Sequence, residues 1–149
     1  MAEHAGALAM RWRTVPLDFV LSRDNPGRAM ISQDFTANFA REWIEAWNSH
    51  DLERVLTHYR EDFEMSSPYI VSIAAQPSGS LKGKGAVRAY WARALERMPD
   101  LRFELVDTLA GVDSVVIYYR GRSGMAAEVF LLDAQGKVAR AFAHYAQRP

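Results

Sequence analysis

Residues 35–63 read FTANFAREWIEAWNSHDLERVLTHYREDF, and their spacing decides the fold. Apolar side chains recur at helical intervals at Phe39, Ala40, Trp43, Ile44 and Trp47. They pause over Asn48-Ser49-His50 and resume at Leu52, Val55, Leu56 and Tyr59. The pattern predicts two consecutive helices. The first carries rings at Phe39, Trp43 and Trp47, so one ridge is nearly all aromatic, and burying each such side chain contributes on the order of 1.5–3 kcal/mol. Asp51 suits the N-cap of the second helix, and Glu53 places negative charge in its first turn, where the helix dipole favours it. A ridge of this kind needs a sheet to cover it.

Downstream, Phe63-Glu64-Met65-Ser66-Ser67-Pro68-Tyr69 alternates and predicts a strand with Phe63, Met65, Ser67 and Tyr69 on one face, extended by Ile70 to Ala75. Gln76 to Ser80 reads as a loop. From Gly85 the helical period returns at Val87, Tyr90, Trp91, Ala94, Leu95 and Met98, until Pro99 stops it. The rest reads as strands over 101–109, 114–120, 125–132 and 137–145. The short loops between them, Asp133-Ala134-Gln135-Gly136 among them, imply antiparallel pairing. Helices first and strands afterwards indicate an α+β fold of three helices on an antiparallel sheet. No internal repeat interrupts the order.

Composition narrows the function. A chain of 149 residues fits one domain with a substantial core. Lys plus Arg equals Asp plus Glu at 18 each, so the basic excess of a nucleic-acid surface is missing. With no cysteine, disulfides and thiolate metal sites are excluded, which suits a reducing compartment. No apolar run approaches the roughly 18 residues of a membrane helix. Val15 to Leu21 is interrupted by Asp18 and lacks a cleavage pattern, so a cytoplasmic protein is expected. Residues 1–31 show no sustained periodicity and are broken by Pro16 and Asn25-Pro26-Gly27. They read as a poorly ordered arm before a domain over 32–147. Alternatively, Trp12, Leu17 and Phe19 anchor the arm as an edge segment, and Met30 is an alternative start.

The motifs W-x3-W-N-S-H-D-L-x-x-V-L-x-H-Y-x-x-D-F and L-K-G-K-G-A-V-R-A-Y-W, with this order of elements, resemble the nuclear transport factor 2-like superfamily. Within it the chain is most similar to the SnoaL-like polyketide cyclase and ketosteroid isomerase branch, over roughly residues 32–147. The resemblance implies a strongly curved sheet around a cone-shaped pocket, closed by the helices and often dimeric. It implies isomerases, cyclases, epoxide hydrolases, dehydratases or binding domains, so fold cannot stand in for function. Where ketosteroid isomerases carry a hydroxyl-donating Tyr, a general-base Asp before a Pro, and a protonated acid, this chain has Trp43, Ser67 and Glu128. One carboxyl of the three groups survives, and serine has no useful basicity near neutral pH. The Asp of the superfamily's epoxide hydrolases falls near Ala143.

Glu128 lies in Ala126-Ala127-Glu128-Val129-Phe130-Leu131-Leu132, an otherwise apolar strand. Enclosed there, its pKa would rise by desolvation, making it a candidate general acid or base. The other reading is an edge position, or an ion pair with Arg120 or Arg140. Register decides its neighbours. A four-residue loop at 133–136 puts Ala141 opposite Glu128 and Ala141, Ala143 and Tyr145 on its face, whereas a shorter loop brings Phe142 and His144 there. Tyr119 shares that face in one register of the preceding hairpin, Tyr118 and Arg120 in the other. The expected site is thus Glu128, Tyr119 and Tyr145 for chemistry, with Trp43, Trp47, Tyr59, Phe63, Met65, Ser67, Trp91 and Ala143 as ligand wall. His50, His58 and His144 have no metal-ligand spacing, so neither a metal nor another cofactor is expected. Three readings stay open: a cofactor-independent enzyme acting on a small apolar molecule, a non-catalytic binding domain, or a dimerising scaffold.

Overall fold

A computed structural model of the chain describes residues 30–146. The arm expected over 1–31 falls almost wholly outside the described residues. Helix α1 (Gln33–Asn48) starts where Ser32 Oγ accepts from the Phe35 amide at 3.1 Å, and it buries Phe39, Ala40, Trp43, Ile44 and Trp47. It ends at Ser49, and His50 follows in the left-handed region at φ 57°. Helix α2 (Leu52–Leu56) is capped by the Asp51 carboxylate, which accepts from the Arg54 amide at 3.0 Å.

Tyr59, expected to close the second helix, opens strand β1 (Tyr59–Ser66) instead. The sheet outbids the helix there: the Val138 amide donates to His58 O at 2.8 Å and Tyr59 lies beside Val138. The expected extension over 70–75 is also corrected. Residues Pro68–Ile73 form helix α3, because Ser67 Oγ accepts from the Tyr69 amide and Pro68, which has no N–H, occupies the first turn. Tyr69 therefore leaves the strand face assigned to it.

A three-residue strand, β2 (Ser80–Lys82), pairs antiparallel with β1, and Gly83 at φ 87° turns the chain into α4 (Lys84–Arg97). Strands β3 (Glu104–Ala110), β4 (Ser114–Gly121), β5 (Gly124–Leu132) and β6 (Val138–Tyr145) follow as an antiparallel meander.

Among the described residues the fold is thus α+β, with four helices rather than three and a six-stranded sheet of order β2-β1-β6-β5-β4-β3. The antiparallel expectation fails at one seam, where β1 runs parallel to β6. The connection from β1 to β6 passes through the other four strands, so no tight turn constrains this pair to run antiparallel. Burial alternates along β5, with Ala126, Glu128, Phe130 and Leu132 inward. The core lies between that face and the ring-bearing side of α1 and α4.

Candidate active site

Cross-strand register builds the site in rows. Tyr119, Ala126 and Tyr145 lie side by side on β4, β5 and β6; Ile117, Glu128 and Ala143 make the next row; Val115, Phe130 and Ala141 make the third. Small Ala126 between two tyrosines leaves space above the sheet, and Trp43, Trp47 and Trp91 roof it from α1 and α4. The result is a cavity of about 80 Å³, lined also by Met65, Tyr69, Tyr90 and Phe103. Its lining reaches the exposed β4–β5 turn at Arg122-Ser123-Gly124, where Gly124 adopts φ 121°.

Glu128 is 5% exposed, and burial pushes its carboxyl up to about 8. Its flanking partners in the sheet, Ile117 and Ala143, have no polar side-chain atoms, and Oε2 has no hydrogen-bond partner among the described residues. The salt-bridge alternative is overturned. Arg120 pairs with Glu104 at 3.7 Å and Arg140 with Glu64 at 3.3 Å, all on the outside. A buried carboxyl without a cation is held neutral by the cost of desolvating its charge.

The tyrosines respond to the same burial. Desolvation, reinforced by the Glu128 charge, raises the pKa of Tyr119, of Tyr145 and of Tyr59. Tyr90 is pushed up to about 12 by burial, while its hydrogen bond to Ser67 acts in the opposite direction. All four hydroxyls therefore keep their protons near neutral pH and remain donors.

The expected site residues divide. Glu128, Tyr119, Tyr145, Trp43, Trp47, Met65 and Trp91 line the cavity, whereas Tyr59, Phe63, Ser67 and Ala143 are not among its lining residues. Tyr59 and Phe63 stand behind it: their rings pack at 4.5 Å, and Tyr59 Oη accepts from Trp43 Nε1 at 2.9 Å. Ser67, expected as wall, caps α3 and accepts from Tyr90 Oη at 3.3 Å. Ala143 lies beside Glu128 as a spacer. Its pairing corrects the four-residue loop by two positions: Leu132 pairs with Val138 rather than Lys137, one residue further on, and a β-bulge between Leu131 and Leu132 adds the second, so Ala143, not Ala141, lies opposite Glu128 on the same face.

Tyr69, Tyr90 and Phe103 were missed as lining. Tyr90 belongs to the apolar stripe of α4 and Phe103 to the apolar alternation that runs into β3, signals that point to both; Tyr69 lies in α3, where the sequence pattern suggests a strand. His144 is exposed, with Nδ1 near Phe142 O at 3.1 Å. Among the described residues no group of three His, Cys, Asp or Glu is placed to hold a metal. None of the helices there is long and apolar enough to cross a membrane.

The model of the SnoaL-like domain family matches residues 40–146. A SnoaL-like protein of unknown function from Burkholderia thailandensis is 56% identical, with a TM-score of 0.76 over 80% of this chain and 100% of that one. An NTF2-like protein of unknown function from Burkholderia pseudomallei K96243 shares 16% identity over 74% of this chain and 89% of its own, at a TM-score of 0.60. A protein of unknown function with a cystatin-like fold from Methylobium petroleophilum PM1 shares 15% over 81% and 82%, at 0.62. These last two likenesses speak to the fold alone. No curated protein matches the chain.

Proposed function

The chain belongs to the SnoaL-like domain family, and from that premise we propose a cofactor-independent isomerase, cyclase or hydrolase that acts on a small, largely apolar molecule by proton transfer through Glu128. The observation that carries this reading is a buried carboxyl, one oxygen of which has no partner among the described residues, lining a ring-walled cavity. A pKa of about 8 suits either direction of transfer near neutral pH: the neutral carboxyl gives its proton to a substrate atom, or the carboxylate takes one from it. Tyr119 and Tyr145 supply hydroxyl protons to whichever substrate oxygen gains charge, acting where water is excluded and hydrogen bonds are strongest. We read the protein as a cytoplasmic homodimer with no nucleic-acid partner; exposed Leu105, Val106, Leu109 and Tyr118 support the dimer.

The test is turnover of a panel of small ketones and epoxides by wild type and by Glu128→Gln. We expect a loss of at least ~100-fold in the variant, the scale of losing a positioned proton donor or acceptor. Undiminished turnover would sink the assignment. One observation favours a second reading, a binding domain without chemistry: among the described residues Glu128 is the only carboxylate or imidazole lining the cavity, with no second one to make an acid and base pair. Tight binding with no turnover in wild type would select it.

A further inference from the structure

Two buried polar atoms without a partner among the described residues belong to side chains that line the same cavity: Glu128 Oε2 and Trp47 Nε1. Trp47 is 6% exposed, and its ring is hemmed by Trp43 at 6.0 Å, Trp91 at 5.1 Å and Phe103 at 5.8 Å. None of these neighbours offers an oxygen. The contrast with Trp43, one helical turn away, is direct: that indole N–H donates to Tyr59 Oη at 2.9 Å. A buried N–H left unpaired carries the full cost of its lost hydration, so native interiors rarely tolerate one. An indole nitrogen can only donate, and what it lacks is therefore an acceptor.

We infer that Trp47 Nε1–H is the second polar anchor of the pocket, and that the ligand is a compact, mainly apolar molecule carrying an acceptor oxygen that takes this proton. The inference rests on the reading of the cavity as the functional site, and it adds a role that does not depend on Glu128 chemistry. Most of the lining is apolar, Trp43, Trp91, Ala94, Leu101 and Phe103 among it, and besides Glu128 the charged side chain that lines it among the described residues is Arg122 at the β4–β5 turn, so the cavity suits an oxygen function on a mainly apolar frame. Trp47 would then select ligands by penalising those without an acceptor, because a hydrocarbon of the same shape leaves the N–H unpaired.

The probes are acetophenone and its oxygen-free counterpart ethylbenzene, followed on the indole N–H resonances of nitrogen-15-labelled protein. Trp47→Phe identifies the Trp47 signal, and the Trp43 signal, already hydrogen-bonded, is the internal reference. We expect acetophenone to move the Trp47 N–H downfield and ethylbenzene not to. Across Trp47→Phe, the ratio of acetophenone to ethylbenzene affinity should fall about tenfold, the size of one hydrogen bond lost. Both ligands feel the altered volume, so the ratio isolates the N–H. Where Trp47→Phe does not fold, through-space contacts from its indole to the neighbouring Trp91 and Phe103 rings assign the Trp47 signal, and the wild-type shifts decide alone.

A Trp47 N–H that stays in place with both probes, whether they bind or not, overturns the inference. The N–H would then be satisfied by ordered water or by the face of a neighbouring ring. The same titration with Glu128→Gln separates the two readings. A downfield shift that persists there, with no turnover in wild type, leaves Trp47 as the anchor and removes the enzyme. Turnover with no Trp47 shift does the reverse.

Discussion

At the scale of single residues, a carboxyl whose pKa rises from 4.5 to about 8 on folding binds its proton more tightly in the folded chain than in the unfolded one. Below pH 4.5 both states are protonated and Glu128 costs nothing. Between 4.5 and 8 the unfolded chain releases a proton that the folded chain retains, so stability declines by about 1.4 kcal/mol per pH unit. Above 8 both states are ionised and the decline stops. Glu128→Gln has no such penalty. Its stability relative to wild type should therefore climb from pH 4.5 to 8 and level off on either side, in urea denaturation at a series of pH values. A variant destabilised most at neutral pH would mean that Glu128 is ionised and paired. This residue was legible because a lone carboxyl on an apolar strand has few outlets. The unpaired N–H of Trp47 was not, because whether an indole finds a partner depends on which ring faces it.

At the scale of elements, the misread segment is α3, where Ile70, Val71 and Ile73 favour a strand and the Ser67 cap with Pro68 favours a helix. Capping won because the helix still buries Ile70 and Ile73. The turn after α1 was legible as a break, but its purpose lay in contacts that spacing does not encode. Asn48 bonds the backbone of Phe103 in both directions, accepting from its amide at 2.7 Å and donating to its carbonyl at 2.9 Å. His50 Nε2 lies 2.8 Å from Leu101 O. Together they clamp the segment that carries Leu101 and Phe103 into the cavity wall. Asn48→Ala should cost ~1–3 kcal/mol, since two backbone groups lose their partner, and it should weaken binding of any pocket ligand. Unfolding midpoints and a binding titration check both. Asn48→Asp keeps the acceptor and loses the donor, so it should not restore wild-type stability. An alanine variant indistinguishable from wild type in both measurements would show that packing against Trp43, Trp47 and Tyr119 alone holds Phe103.

Across the whole molecule, what the sequence carried was the alternation of apolar spacing, 3.6 in the helices and 2 in the strands, which placed four main strands and the two longest helices. What it could not carry was the parallel seam between β1 and β6, or the bulge at Leu131, since both are set by distant partners. The helix layer and the sheet meet at one side chain. Trp43 stacks on Phe103 at 5.7 Å, meets Tyr119 and Phe130 at 5.6 Å each, and bonds Tyr59 at the head of β1. Those partners come from β4, β5, β1 and the approach to β3, so the ring ties α1 to almost the full width of the sheet. Trp43→Ala opens a void that so many separate elements cannot collapse into, and it should cost roughly 3–5 kcal/mol. Trp43→Phe retains most of the ring and loses the N–H, which leaves Tyr59 Oη short of a donor; it should cost less, about 1–3 kcal/mol. Leu109→Ser is the contrast, because Leu109 is 59% exposed and should change stability by no more than ~0.5 kcal/mol in the isolated protomer. Urea denaturation of the three variants ranks them. An order in which Leu109→Ser exceeds Trp43→Ala would place the stabilising core on the outer face of the sheet, against an interface, and not beneath α1.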